Sequence, residues 1–97
     1  MLFMMRYKFG QADAGRNAYE RFAKWTPPDG FEIKAGWTSA SNDGGFLLLD
    51  VTDAGPLLNF SAQFKDLNES LDIVPVVELG EGIATAMKAY EWVDSLS

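Results

Sequence analysis

Residues 71–80 read LDIVPVVELG, a run of β-forming residues from Leu71 to Gly80 with Pro75 at its centre. The composition asks for a strand over Leu71 to Leu79. Proline has no N–H to give to a ladder, so within sheets it is confined to edge strands and bulges. Pro75 therefore predicts that this strand lies at an edge, and that prediction constrains the rest of the chain.

Working backwards, "TDAGP" (52–56) opens a helix. Thr52 or Asp53 serves as its N-cap, and Pro56 falls in the first turn, where a missing N–H costs little. Leu57, Phe60, Phe64 and Leu67 continue at helical spacing. Before it, "FLLLDV" (46–51) is nearly continuous in its apolarity and reads as a strand buried on both faces. Asp43-Gly44 precedes it as a hairpin signal. Phe31, Ile33, Ala35 and Trp37 alternate with Glu32, Lys34, Gly36 and Thr38, a period of two over a further strand. "TPPDG" (26–30) ends a helix, because the residue before proline avoids helical geometry. That helix carries Ala14, Ala18, Phe22 and Trp25 on one stripe, with Asp13 as its expected N-cap. Leu2 to Phe9 is the first strand. After Leu79, Gly80-Glu81-Gly82 reads as a break before a last helix from Ile83 to Val93, with Ile83, Met87 and Tyr90 as its stripe.

The order β-α-β-β-α-β-α is one domain over residues 1–97, a ferredoxin-like α+β unit (1–79) with an added C-terminal helix (80–97). Its antiparallel sheet has the spatial order 4-1-3-2. Strands one and three, the most apolar, take the centre, and the strand of Pro75 takes an edge. Two helices cover one sheet face. Met4 and one leucine set of strand three then point to the other, an apolar face that predicts a homodimer.

Composition excludes much chemistry. The 97 residues contain no cysteine and no histidine. Disulfides, thiolate metal sites and iron–sulfur clusters are out, as are histidine-based acid–base catalysis and haem ligation. The spacing of the acidic residues fails the EF-hand pattern, and "GEGIATAM" (80–87) is no phosphate loop. The reading predicts no metal and no cofactor. A net charge of −6 repels phosphate backbones, which argues against nucleic acid. No run approaches the ~20 apolar residues of a membrane span, and "MLFMM" lacks the features of a signal peptide. A soluble, cytoplasmic protein with no membrane partner is expected.

Several polar and aromatic residues invite functional readings. Arg6 shares the Met4 face, and antiparallel pairing brings Asp72 beside it, as an ion pair at the interface or as a clamp for an acidic ligand. Asp50 is an acid in an apolar strand, either a proton-transfer group or a wet strand end that helps start the next helix. Trp25 and Trp37 are expected in the core. A two-residue Asp43-Gly44 loop sets Trp37 opposite Asp50, whereas a bulged loop separates them. Tyr7 joins Arg6, Trp37, Asp50 and Asp72 as a candidate ligand-binding residue.

The segments "MLFMMRY", "RFAKWTPPDG", "AGW", "GGFLLLDV", "FKDL" and "IVPVVE" resemble a bacterial domain-of-unknown-function family in the dimeric α/β-barrel superfamily. The resemblance spans roughly residues 1 to 79. It implies a ferredoxin-like protomer that pairs sheet to sheet as a homodimer. Relatives in the superfamily include cofactor-free monooxygenases, muconolactone isomerases and haem-degrading enzymes, whose histidine-dependent chemistry does not transfer to a chain without histidine. Three functions stay open: a protein of unknown function binding a small apolar or acidic molecule in a cleft of the barrel, a cofactor-independent monooxygenase- or isomerase-like enzyme, and a dimeric interaction module.

Overall fold

A computed structural model describes residues 1–97. Its elements are β1 (Leu2–Phe9), α1 (Ala14–Ala23), β2 (Phe31–Thr38), β3 (Gly44–Val51), α2 (Ala54–Phe64), a 3-10 turn (Lys65–Leu67), β4 (Asn68–Val76) and α3 (Leu79–Asp94). The sheet order is β2-β3-β1-β4, and every neighbouring pair is antiparallel. Pro75 lies on edge strand β4, opposite Phe3 of β1, where the sequence put it.

Side chains that alternate along β1 divide the sheet into two faces. Phe3, Met5, Leu49, Val51, Ile73, Phe31 and Ile33 face the helices and pack with Phe60 and Phe64 of α2. Met5 and Leu49 are fully buried at the centre. Trp25, just beyond α1, lies edge-on to Phe31, Phe60 and Phe64, with ring centroids 5.2–5.9 Å apart. Its indole N–H donates to Gln63 Oε1 at 2.7 Å, which satisfies the polar end of an otherwise apolar ring. The other face shows Leu2, Met4, Leu48, Val74 and Val76, neighbours across three strands.

Local signals act as expected at α2: Asp53 caps it, its carboxylate accepting from the Gly55 N–H at 2.8 Å. Elsewhere there are corrections. Asp13 precedes α1, but its side chain makes no cap hydrogen bond, and α1 ends at Ala23. β4 begins at Asn68 and ends at Val76, three residues earlier at each end. Gly80-Glu81-Gly82 is not a break but the first turn of α3. Glu78 accepts from the Gly80 and Glu81 N–H groups at 2.9 Å each, so side-chain capping outweighs the helix cost of the glycines.

The hairpin also differs. Asp43-Gly44 is not a two-residue turn. Ser39 N donates to Gly44 O at 2.8 Å, closing a longer loop in which Asn42 adopts φ 58°. Further along, β2 slips against β3 between Ile33 and Ala35, leaving Lys34 without a partner. This bulge reverses the alternation. Phe31 and Ile33 face the helices, but Ala35 and Trp37 face the open side. The longer hairpin loop sets Trp37 opposite Phe46, not Asp50, and the ring is 54% exposed instead of core.

α3 is the unusual element. None of its residues is buried. The molecule measures 57 × 31 × 19 Å with a radius of gyration of 17.0 Å, whereas a compact chain of this length has about 12.5 Å. The difference is α3, which projects from the body as an arm. No helix is long and apolar enough to cross a membrane.

Candidate functional site

α1 and α2 lie over the sheet face that carries Phe31 and Tyr7. There they enclose a cleft of about 410 Å³. Ala18, Tyr19 and Phe22 of α1 form one wall, Phe60 and Phe64 of α2 another, and Tyr7, Leu47 and Leu71 of the sheet the floor. Phe9 sets the end, with its ring edge-on to Tyr19 at 5.2 Å and tilted to Tyr7 at 5.6 Å. No charged side chain lines the cleft.

Two sequence features open this space. Gly36 and Gly45 stand where side chains would intrude. A Cβ at Gly45 would lie 2.6 Å from the Tyr7 hydroxyl and would strike the Trp37 carbonyl oxygen. One at Gly36 would meet only the tip of Leu47, at 2.9 Å. The walls are held by Arg21 of α1. Its guanidinium donates twice to the Asp66 carboxylate, at 2.7 and 3.1 Å, and once to Gln63 O at 2.7 Å. That bidentate geometry fixes α1 against the end of α2 and holds the Asp66 carboxyl below its ordinary pKa.

The polar groups of the cleft are few. Burial pushes the Tyr7 phenol pKa up; Tyr19 adds to this and Arg6 opposes it. Asn68, the first residue of β4, donates through Nδ2 to Phe64 O at 2.8 Å, covering a carbonyl at the end of α2. Its Oδ1 is buried and has no hydrogen-bond partner. A buried acceptor left unpaired costs about 1–3 kcal/mol, so a donor arriving from a ligand removes a standing penalty. Nothing in the sequence marked Asn68, because it reads there as a loop residue before a strand.

The five residues singled out in the sequence do not form one site. Tyr7 lies in the cleft, and Trp37 borders it. Arg6, Trp37 and Asp72 instead share one row across the open face, Trp37–Phe46–Arg6–Asp72. Arg6 and Asp72 are cross-strand neighbours, as parity predicts, but the expected ion pair is replaced by another. The Arg6 guanidinium lies over the Phe46 ring at 5.1 Å, bonds the Tyr7 and Gly45 carbonyl oxygens, and reaches Asp43 at 3.7 Å. Ser41 and Ser39 hydrogen bonds, with the Arg6 charge, hold the Asp43 carboxyl below its usual range. The hairpin loop thus takes the cation that Asp72 was expected to take. Asp50 lies at the far end of β3, opposite Glu32, and accepts from the Met1 amino nitrogen at 3.0 Å. It is the wet strand-end acid, remote from Tyr7.

Sheet parity therefore separates the cleft from the acids and the arginine. Tyr7 has no carboxylate or guanidinium in its cleft to move a proton with or to hold an anion. No group of three or more acidic residues is placed to hold a metal ion. The geometry is that of a largely apolar receptacle whose polar groups are the Asn68 acceptor, the Tyr7 and Tyr19 phenols and the Thr38 hydroxyl.

No curated protein and no solved structure matches this chain. A family profile does match, and it extends past the region of resemblance around residue 79 into α3 as far as Tyr90, so most of the arm belongs to the domain. The chain belongs to DUF3303, a domain of unknown function, over residues 1–90.

Proposed function

We propose that the protein binds a small, neutral, largely apolar molecule carrying one hydrogen-bond donor, held between α1, α2 and the Tyr7 end of the sheet. The observation that carries this reading is the cleft of about 410 Å³, without a charged lining residue and with Asn68 Oδ1 buried and unpaired. Cleft volume and lining are those of small-molecule sites generally. The absence of a cation disfavours an acidic ligand, since an unpaired carboxylate is expensive to bury. Arg6 is on the other side of the sheet.

A matched series of naphthalenes tests the reading. Naphthol supplies an O–H donor, methoxynaphthalene has the same rings without it, and naphthoate adds a negative charge. Fluorescence titration is expected to give the tightest binding for naphthol. Methoxynaphthalene is expected to bind roughly fivefold to tenfold more weakly, one hydrogen bond's worth, and naphthoate more weakly still. Asn68→Leu removes the difference between the first two. Equal binding of all three, or a preference for naphthoate, overturns the proposal.

We also infer that the open sheet face is a homodimer interface. Leu2, Met4, Leu48, Val74 and Val76 form a contiguous apolar area there, and patches of that kind on soluble domains mark association sites. Of the charges on and around this face, Lys8 pairs with Glu69, Lys34 with Glu32, Arg6 with Asp43 and Asp50 with the Met1 amino group, while Asp72 is exposed beside Arg6.

A further inference from the structure

α3 carries an apolar stripe that nothing in its own protomer buries. Leu79, Ile83, Ala86, Tyr90 and Val93 recur at i, i+4, i+7, i+11 and i+14, which keeps them on one side of the helix, while Glu81, Lys88 and Trp92 fall on the opposite side. Leu79, Ile83, Tyr90 and Val93 are all more than half exposed. The family profile reaches Tyr90, so the stripe is a part of the domain and not an appended tail.

The same chain leaves a second apolar surface open, the sheet face of Leu2, Met4, Leu48 and Val74. The two surfaces match in length. Sixteen helical residues span about 24 Å, and the eight-residue strands β1 to β3 about 26 Å. They do not meet within one protomer. Only Val77 and Glu78 join β4 to α3, and Glu78 is committed as the helix cap. Folding α3 back over its own sheet requires breaking that cap and reversing the chain in two residues.

We infer that α3 crosses to a second copy of the chain, its stripe packing on that copy's open sheet face, while the second copy's α3 returns the contact. This deepens the homodimer reading, on which it rests, by naming the element that makes the contact. A two-fold arrangement closes after two copies, because each contributes the same helix and the same face. Coverage favours it over sheets stacked face to face. The arm, about 24 by 10 Å, seats on a sheet face of roughly 19 by 26 Å in projection, so the exchange covers both surfaces, whereas stacking leaves both arms uncovered. A coiled coil between the two arms is disfavoured, since α3 holds little more than two heptads and sustained coils need at least three or four.

The absence of cysteine makes the test direct. Full-length Ala86→Cys and Met4→Cys chains, one of them tagged, are mixed and joined with a short thiol-reactive linker. The expected main product joins Ala86→Cys of one chain to Met4→Cys of the other. A Met4→Cys pair with the arm position unreactive means stacked sheets, and overturns the exchange while the homodimer stands. A pair of joined arm positions means a coil, and overturns it likewise. Closure within one chain of the Met4→Cys, Ala86→Cys double variant shows α3 folded back, and also overturns it. A monomer by sedimentation, with no product between chains, removes the homodimer and the exchange together. In parallel, Ile83→Asp with Tyr90→Asp is expected to weaken self-association roughly tenfold or more and to leave the β-sheet circular dichroism unchanged, because no core residue touches the stripe. Unchanged self-association overturns the exchange.

Discussion

Arg6 and Tyr7 are neighbours in the chain and face opposite sides of the sheet, which assigns them different tasks. Arg6 ties the β2–β3 hairpin down through Asp43 and covers Phe46. Tyr7 floors the cleft, and it has room there only because residue 45 is glycine. At this scale the two sheet glycines separate cleanly. Gly45→Ala drives a Cβ toward the Tyr7 hydroxyl and into the Trp37 carbonyl, and backbone cannot yield. Urea unfolding is expected to show a loss of about 1–3 kcal/mol. Gly36→Ala meets only the flexible tip of Leu47, so its loss is expected to stay under about 1 kcal/mol. Equal losses at the two positions contradict the slot described for Tyr7.

Among the elements, β2 shows how one residue changes the meaning of a strand. The alternation from Phe31 to Trp37 looks continuous in the sequence, yet Lys34 bulges out and Trp37 lands on the face opposite Phe31. If Lys34 is a true bulge residue, deleting it leaves the pairing on either side intact. The deletion variant is expected to keep the nuclear Overhauser contact between the Trp37 and Phe46 rings. Loss of that contact, with Trp37 moved toward the helices, means that β2 is regular and the face assignment is wrong. The sequence held no signal for the bulge, because Lys34 is neither glycine nor a turn former. Where local chemistry decides the outcome, the sequence was readable. Pro75 at an edge, the apolar continuity of β1 and β3, and the Asp53 cap of α2 all follow from rules that act within a few residues. Arg6 was read half correctly. Parity gave its face and its neighbour Asp72, but its partner depends on the course of the 39–43 loop. Asn68 was illegible because its unpaired oxygen results from the way α2 ends on β4.

For the whole molecule, the division of the sheet into two faces organises everything else. One face holds the core and the cleft, and the other is apolar and open; the α3 arm projects from the body. An apolar cleft and an apolar open face on one small domain both attract hydrophobic probes, so the place where a ligand binds decides between the accounts. The most direct test is a backbone and side-chain amide NMR map of the protein titrated with naphthol. The account predicts that the largest shifts fall on Tyr7, Leu47, Phe64 and Asn68, with the Asn68 side-chain amide among them, while Met4, Leu48 and Val74 stay put. Shifts concentrated on Met4, Leu48 and Val74, or an unresponsive Asn68, contradict it.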